Sequence, residues 1–157
     1  ENPRFLARRI TRMAVEDIGL ADPQAQGVCL QSWEIYERLG SPEGELALAQ
    51  AVAYLALAPK SNATYVAYKA ARNAAKQTGS EPPPKHILNG ATSLMKDQGY
   101  GVGYAYDHDV EDGFSGQNYF PDTMNRPDFY VPVERGHERE LKKRVDYFAK
   151  LRAKREQ

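Results

Sequence analysis

The sequence predicts a mainly α-helical bundle with a short extended or β segment near residues 100–132 and a C-terminal helix. Three observations predict this fold class. Apolar residues recur at three- and four-residue spacing through residues 1–79, Pro and Gly interrupt that pattern at regular intervals, and glycines and aromatic residues concentrate in residues 99–134. With 157 residues and 41% apolar side chains, the chain is long enough for one packed core.

Residues 1–79 have the pattern of four successive helices. Each has residues that favour helix ends, with Pro or a capping side chain at the start and Gly or Pro at the stop. The predicted start and stop signals are Pro3 and Gly19 for the first helix, Asp22-Pro23 and Gly40 for the second, Ser41-Pro42-Glu43 and Pro59 for the third, and Ser61 or Asn62 and Gly79 for the fourth.

The third predicted helix is apolar on almost every side. Between Leu46 and Ala58, only Gln50 and Tyr54 interrupt a run of Ala, Leu and Val. A helix of this kind is expected to be buried all round, either at the centre of its own domain or against a partner subunit. Both alternatives stay open at this point. The candidate oligomer-interface residues are Leu48, Val52 and Leu55.

The composition changes after residue 79. Pro82-Pro83-Pro84 predicts an extended connector, and a short helix capped by Thr92 or Ser93 is expected within residues 86–98. Residues 104–106 and 129–131 have the aromatic and β-branched content of short strands or extended segments. The C-terminal helix is predicted by an apolar stripe that consists of Leu141, Val145, Phe148 and Leu151.

These patterns divide the chain into two parts. We expect a four-helix oligomerisation core over residues 1–79 and a Pro-, Gly- and aromatic-rich extension with the C-terminal helix over residues 80–157. The two parts are expected to form one compact unit. Because the first residue, Glu1, is not Met, we also expect the chain to be a fragment of a longer protein.

Charge is balanced overall but unevenly distributed. The chain carries 21 basic and 21 acidic residues, which argues against a strongly basic nucleic-acid module. Residues 135–157 nevertheless carry nine basic and four acidic side chains. A solvated helix face and a DNA-binding face are both compatible with this tail. Candidate DNA contacts are Lys142, Lys143, Lys150 and Arg152, and a second basic strip is formed on the first helix by Arg4, Arg8, Arg9 and Arg12.

The sequence contains no recognisable catalytic, cofactor or metal site. The phosphate-binding pattern of a P-loop is absent, and the single cysteine, Cys29, is expected to be a buried, inert thiol. The acidic turn from Asp107 to Asp112 has the ligand types of a divalent-cation site, but its spacing matches no calcium loop, so a solvated turn is favoured. No apolar run approaches the ~18–20 residues that a membrane span requires.

Four stretches of the sequence are similar to a known family. They are AVEDIGLADP at residues 14–23, LAQAVAYLALAPKSN at residues 48–62, the pieces LMK, GYG and YAYDHD within residues 94–109, and QNYFPD at residues 117–122. These stretches resemble the bacterial MgsA/RarA family of AAA+ ATPases, which is related to the eukaryotic Werner-helicase-interacting ATPase. The matches run in order from about residue 3 to residue 139.

The resemblance implies that this chain is the C-terminal part of such a protein, after the ATPase core and lid. In the family, that part is an all-helical oligomerisation domain, similar to the clamp-loader C-terminal collar, and it assembles the ATPases into tetramers. We therefore expect a homotetramer without catalysis, cofactor or metal in this chain, while ATP and Mg²⁺ belong to the missing ATPase core.

The resemblance also implies a cellular role. The full-length protein is expected to be a DNA-dependent ATPase of replication-fork maintenance and recombination, cytoplasmic and nucleoid-associated in bacteria. DNA ends and single-stranded-DNA-binding protein are expected partners of the full-length protein, and no membrane is expected as a partner. Two other functions remain open, a DNA-binding module that uses the basic C-terminal helix and a stand-alone enzyme that uses the acidic turn.

Overall fold

The protein is mainly α-helical, as predicted. A computed structural model describes residues 2–155, and within that range six α-helices and no β-strand occur. The helices are α1 (Pro3–Met13), α2 (Gln24–Leu39), α3 (Glu45–Leu57), α4 (Ala63–Thr78), α5 (Ser93–Asp97) and α6 (Glu138–Arg155).

The described residues group into two compact units. The first unit contains residues 2–71 and 129–144, and the second contains residues 72–128 and 145–155. Each unit therefore combines one continuous stretch with a second stretch from later in the chain. The division at residue 79 into a core and an extension stays a prediction.

The core of the first unit is built from α1, α2, α3 and the turn at residues 14–18 that follows α1. Most of its side chains are small, which lets the three helices approach closely. The core residues, all 5% exposed or less, are Ala7, Ile10, Ala14, Ile18, Ala25, Cys29, Leu48, Ala51 and Leu55. Cys29 is buried as predicted, and its burial raises the pKa of its thiol.

The chain leaves α1 through a π-helical turn, Ala14–Ile18, followed by a 3₁₀ turn, Gly19–Ala21. Gly19 has a φ of +51°, and a Cβ there would lie 2.9 Å from the carbonyl oxygen of Ser61. The backbone N–H of Ser61 donates to the carbonyl oxygen of Asp17 at 2.8 Å. Glycine is therefore needed at this position both for the turn and for the close approach of the segment that leads into α4.

The predicted helix-end signals are confirmed where the capping side chain acts locally. Asp22 Oδ1 accepts from the N–H of Gln24 at 3.1 Å, and Thr92 Oγ1 accepts from the N–H of Met95 at 3.2 Å. The start of α3 differs from the expectation. Residues 41–44 form a turn, so Ser41-Pro42 does not open the helix, which begins at Glu45.

In the second unit, the aromatic segment at residues 104–106 does not form a β-strand, although its sequence suits one. The side chain of Gln117 accepts from the N–H of Ala105 at 3.0 Å and donates to the carbonyl oxygen of Gly103 at 2.7 Å. A side chain thus satisfies backbone groups that a neighbouring strand would otherwise pair. In the same unit, Phe114 packs on Phe148 of α6, with ring centroids 4.9 Å apart.

Candidate oligomerisation surface

The outer face of α3 is an exposed, uncharged surface that is apolar except for Gln50. Leu46 is 67% exposed and Leu57 is 89% exposed. They lie on one side of the helix because eleven residues make about three turns. We call this face the α3 ridge, and it consists of Leu46, Ala49, Gln50, Ala53 and Leu57, all exposed.

The expectation that α3 is buried all round within its own domain is therefore wrong. Only one side of the helix faces the core, because α1 and α2 cover that side alone. Two of the predicted interface residues, Leu48 and Leu55, are on this inner side, and each is 1% exposed. The third, Val52, is 42% exposed at the edge of the ridge. The role of these three residues in an oligomer interface stays a prediction.

Hydrogen bonds hold α3 in place at its C-terminal end. Lys60 Nζ donates to the carbonyl oxygens of Leu55 and Ala58, both at 2.6 Å, and so caps the helix. The hydroxyl of Tyr54 donates to Asp22 Oδ2 at 2.6 Å, and this bond raises the pKa of Tyr54. These contacts anchor the C-terminal end of α3, where Leu57 of the ridge lies.

A buried carboxylate ties the segment 129–144 to the helical core of the first unit. Glu138, at the start of α6, is fully buried and accepts three hydrogen bonds: from Ser61 Oγ at 2.7 Å, from the Tyr130 hydroxyl at 2.9 Å and from the N–H of Val133 at 2.9 Å. Burial, together with the bond to Glu138, raises the pKa of Tyr130. Sequence reasoning missed this role because Glu138 looked like one of several acidic residues on a solvated helix.

The same segment makes a close backbone contact just before α6. The N–H of His137 donates to the carbonyl oxygen of Ala21 at 2.8 Å. Gly136 has a φ of +52°, and a Cβ there would lie 2.1 Å from that same oxygen. The glycine therefore permits an approach that a side chain at this position would prevent.

The first unit also contains a groove between α1 and α4. Its volume is about 570 Å³, and the half-buried ring of Trp33, from α2, contributes to it. We call it the α1–α4 groove; its lining includes Arg8, Arg12, Val15, Glu16, Trp33, Tyr65 and Tyr68.

Two of the four arginines in the strip on α1 are already ion-paired. Arg4 forms a bidentate pair with Glu37, at 2.9 and 2.8 Å, which raises the pKa of Arg4 and lowers that of Glu37. Arg12 pairs with Glu16 at 2.6 Å. Within residues 2–155, the Arg8 side chain has no ion-pair or hydrogen-bond partner, and Arg8 is one of the residues that line the groove.

The predicted DNA contacts lie along α6 in varied surroundings. Lys143 pairs with Glu140 at 2.8 Å, which lowers the pKa of Glu140. The guanidinium of Arg152 lies over the ring of Phe114, 5.1 Å from its centroid. Lys150 is exposed, and Lys142 is half-buried. Whether these side chains contact DNA stays a prediction.

The acidic turn makes structural contacts in the second unit. Asp107 Oδ1 accepts from the N–H of Ser115 at 2.7 Å, and the hydrogen bonding to Ser115 lowers the pKa of Asp107. Asp112 pairs with Arg155 at 3.3 Å. Among the described residues, no group of three or more His, Cys, Asp or Glu side chains is arranged to hold a metal ion.

Comparison with known proteins identifies relatives of this chain. A family model described as the C terminal of the MgsA AAA+ ATPase matches residues 1–149. The chain is 49% identical to the replication-associated recombination protein A of Coxiella burnetii over 96% of this chain and 34% of that protein. It is 42% identical to the Escherichia coli K12 protein of the same name over 94% of this chain and 33% of that protein.

A eukaryotic relative is also similar. The ATPase WRNIP1 of Dictyostelium discoideum is 36% identical over 82% of this chain and 15% of that protein. The chain thus spans about a third of the length of the bacterial relatives named above. None of the helices described in residues 2–155 is long and apolar enough to cross a membrane. The match along nearly the whole chain shows that it belongs to the family of MgsA AAA+ ATPase C-terminal domains.

Proposed function

We propose that this chain is the homotetramerisation domain of a AAA+ ATPase. The observation that carries the proposal is the α3 ridge, where Leu57 is 89% exposed on a face without any charged side chain. Contiguous apolar surface of this kind is typical of an interface between proteins. In a closed symmetric assembly, the same surface is covered on every copy.

The family and the names of its members support the cellular part of the proposal. Relatives that are called replication-associated recombination protein A favour a role in replication-fork maintenance and recombination. In this proposal, ATP and Mg²⁺ bind the ATPase part of the full-length protein. DNA ends and single-stranded-DNA-binding protein are partners of the full-length protein, and the present chain contributes assembly without catalysis.

The mass in solution tests this proposal. We expect light scattering coupled to gel filtration to report four times 17.6 kDa at micromolar concentration. The double variant Leu46→Glu/Leu57→Glu places two carboxylates on the ridge and should lower that mass. Leu94→Glu is the matched control, because Leu94 is also exposed, at 65%, but lies on α5. A monomeric mass for the unaltered chain would refute the proposal.

DNA binding through α6 is a second candidate function. This helix carries eight basic and three acidic residues, and among them Lys150 is exposed. Contacts of this type reach phosphates and weaken steeply with salt. Fluorescence anisotropy with a labelled oligonucleotide tests it: Lys150→Gln should reduce binding and make it less salt-dependent. Unchanged binding and salt dependence in this variant would contradict a DNA contact by Lys150.

A further inference from the structure

The first unit contains two separate apolar surfaces. One is the α3 ridge, whose leucines are 67% and 89% exposed and so occupy no groove of their own chain. The other is the α1–α4 groove, with Tyr65 at 44% and Tyr68 at 61% exposure on its α4 side. A convex aliphatic surface and a concave aromatic one on the same molecule can complement each other between copies.

Charges at the two surfaces are also complementary. Glu43 is exposed and precedes Leu46 by one turn, so a negative charge lies at the N-terminal end of the ridge. Among the charged residues that line the groove, Arg12 and Glu16 form an ion pair, with Arg12 Nε 2.6 Å from Glu16 Oε2. The third charged lining residue is Arg8. Within residues 2–155, neither Glu43 nor Arg8 has an ion-pair partner.

We propose that the α3 ridge of one copy docks in the α1–α4 groove of the next, with Glu43 of the first copy facing Arg8 of the second. This inference rests on the proposed homotetramer and assigns its contact surfaces. The contact is heterologous, because it joins two different surfaces, and four such contacts close a ring. Pairing ridge to ridge would leave the tyrosines of the groove uncovered, whereas ridge-to-groove docking covers both surfaces.

Mixing two defective variants tests the docking directly. The ridge variant, Leu46→Glu/Leu57→Glu, keeps its groove, and the groove variant, Trp33→Phe/Tyr65→Glu, keeps its ridge. Each variant alone should be monomeric. An equimolar mixture should form a heterodimer of twice 17.6 kDa and nothing larger, because each complex contains only one intact ridge facing one intact groove.

The single tryptophan reports where the two variants meet. Trp33 is the only tryptophan in the sequence, and the groove variant lacks it. When the groove variant is added to the ridge variant, the emission of Trp33 should change and saturate at one equivalent. A heterodimer without any change in Trp33 emission would overturn the assignment of the groove.

The failure of this inference can be told apart from the failure of the proposed function. A monomeric mass for the unaltered chain would remove the homotetramer and the docking together. A tetrameric unaltered chain whose groove variant keeps the full mass would overturn the docking alone. A mixture of monomeric variants that forms no heterodimer would also overturn the docking alone.

Charge reversal gives a second test that leaves the apolar side chains unchanged. Arg8→Glu and Glu43→Arg should each weaken self-association by roughly two- to five-fold, as expected for an exposed ion pair. The double variant should recover most of the loss, because the exchanged side chains again place opposite charges face to face across the contact. A double variant that associates more weakly than both single variants would overturn the docking.

Discussion

The carboxylate of Glu138 accepts a 2.7 Å hydrogen bond from the hydroxyl of Ser61, which lies 77 residues earlier in the chain. Ser61 also caps α4, because its Oγ accepts from the N–H of Ala63 at 3.2 Å. The start of α6 is thus joined to the start of α4 through one buried side chain. This contact makes residues 129–144 part of the same compact unit as the N-terminal helices.

Removing the buried carboxylate of Glu138 should lower the free energy of unfolding. Glu138→Ala leaves the hydroxyls of Ser61 and Tyr130 and the N–H of Val133 without their acceptor. We expect the free energy of unfolding to fall by about 3 kcal/mol. Urea unfolding at one fixed protein concentration measures this, with Glu134→Ala, an exposed carboxylate in the same segment, as control. Equal losses in the two variants would contradict the role of Glu138.

The hydrogen bond between Tyr130 and Glu138 should make stability sensitive to alkaline pH. The pKa of Tyr130 is raised in the folded state, so its contribution is fully present below about pH 10, the unfolded pKa of tyrosine, and is lost as pH rises further. Tyr130→Phe should cost about 2 kcal/mol at pH 7 and flatten the decline above pH 10. Some decline should remain, because the pKa of Tyr54 is also raised. Thermal unfolding between pH 7 and pH 11 checks this, and an unchanged slope would contradict it.

Two glycines with positive φ, +52° at Gly136 and +69° at Gly79, should respond differently to alanine. A Cβ at Gly136 would lie 2.1 Å from the carbonyl oxygen of Ala21, whereas a Cβ at Gly79 would meet no atom within 4 Å. Both have positive φ, so alanine at either site adds backbone strain of about 1 kcal/mol. Gly136→Ala should cost at least about 2 kcal/mol more than Gly79→Ala in urea unfolding. Similar costs would show that the contact at Ala21 adapts.

Leu55 and Leu57 lie two residues apart on α3 but should contribute differently to the free energy of unfolding. Leu55 is 1% exposed, so Leu55→Ala should leave a cavity and cost about 2–5 kcal/mol. Leu57 is 89% exposed, so Leu57→Ala should change the free energy of unfolding by less than about 0.5 kcal/mol. Both changes are compared in a Leu46→Glu background, where the ridge is already altered. Equal losses at the two positions would contradict the orientation of α3.

Some elements could be predicted because their signals act within a few residues. Asp22 and Thr92 cap α2 and α5 through bonds to residues two and three positions later. The orientation of α3 could not be predicted, since a helix that is apolar on every side has no pattern to show which face meets the core. The extended segment at residues 104–106 needed a long-range partner, the side chain of Gln117, to distinguish it from a strand.

The sequence by itself determined the helical fold class, most helix ends and the family, since capping, periodicity and sequence similarity are readable along the chain. The tertiary structure decided which leucines of α3 fill the core and which form the ridge. It also decided that Glu138, in a basic helix, is buried under Ser61 and Tyr130. The physical reason is the same in both cases: burial depends on groups that lie far apart in sequence and meet only when the chain folds.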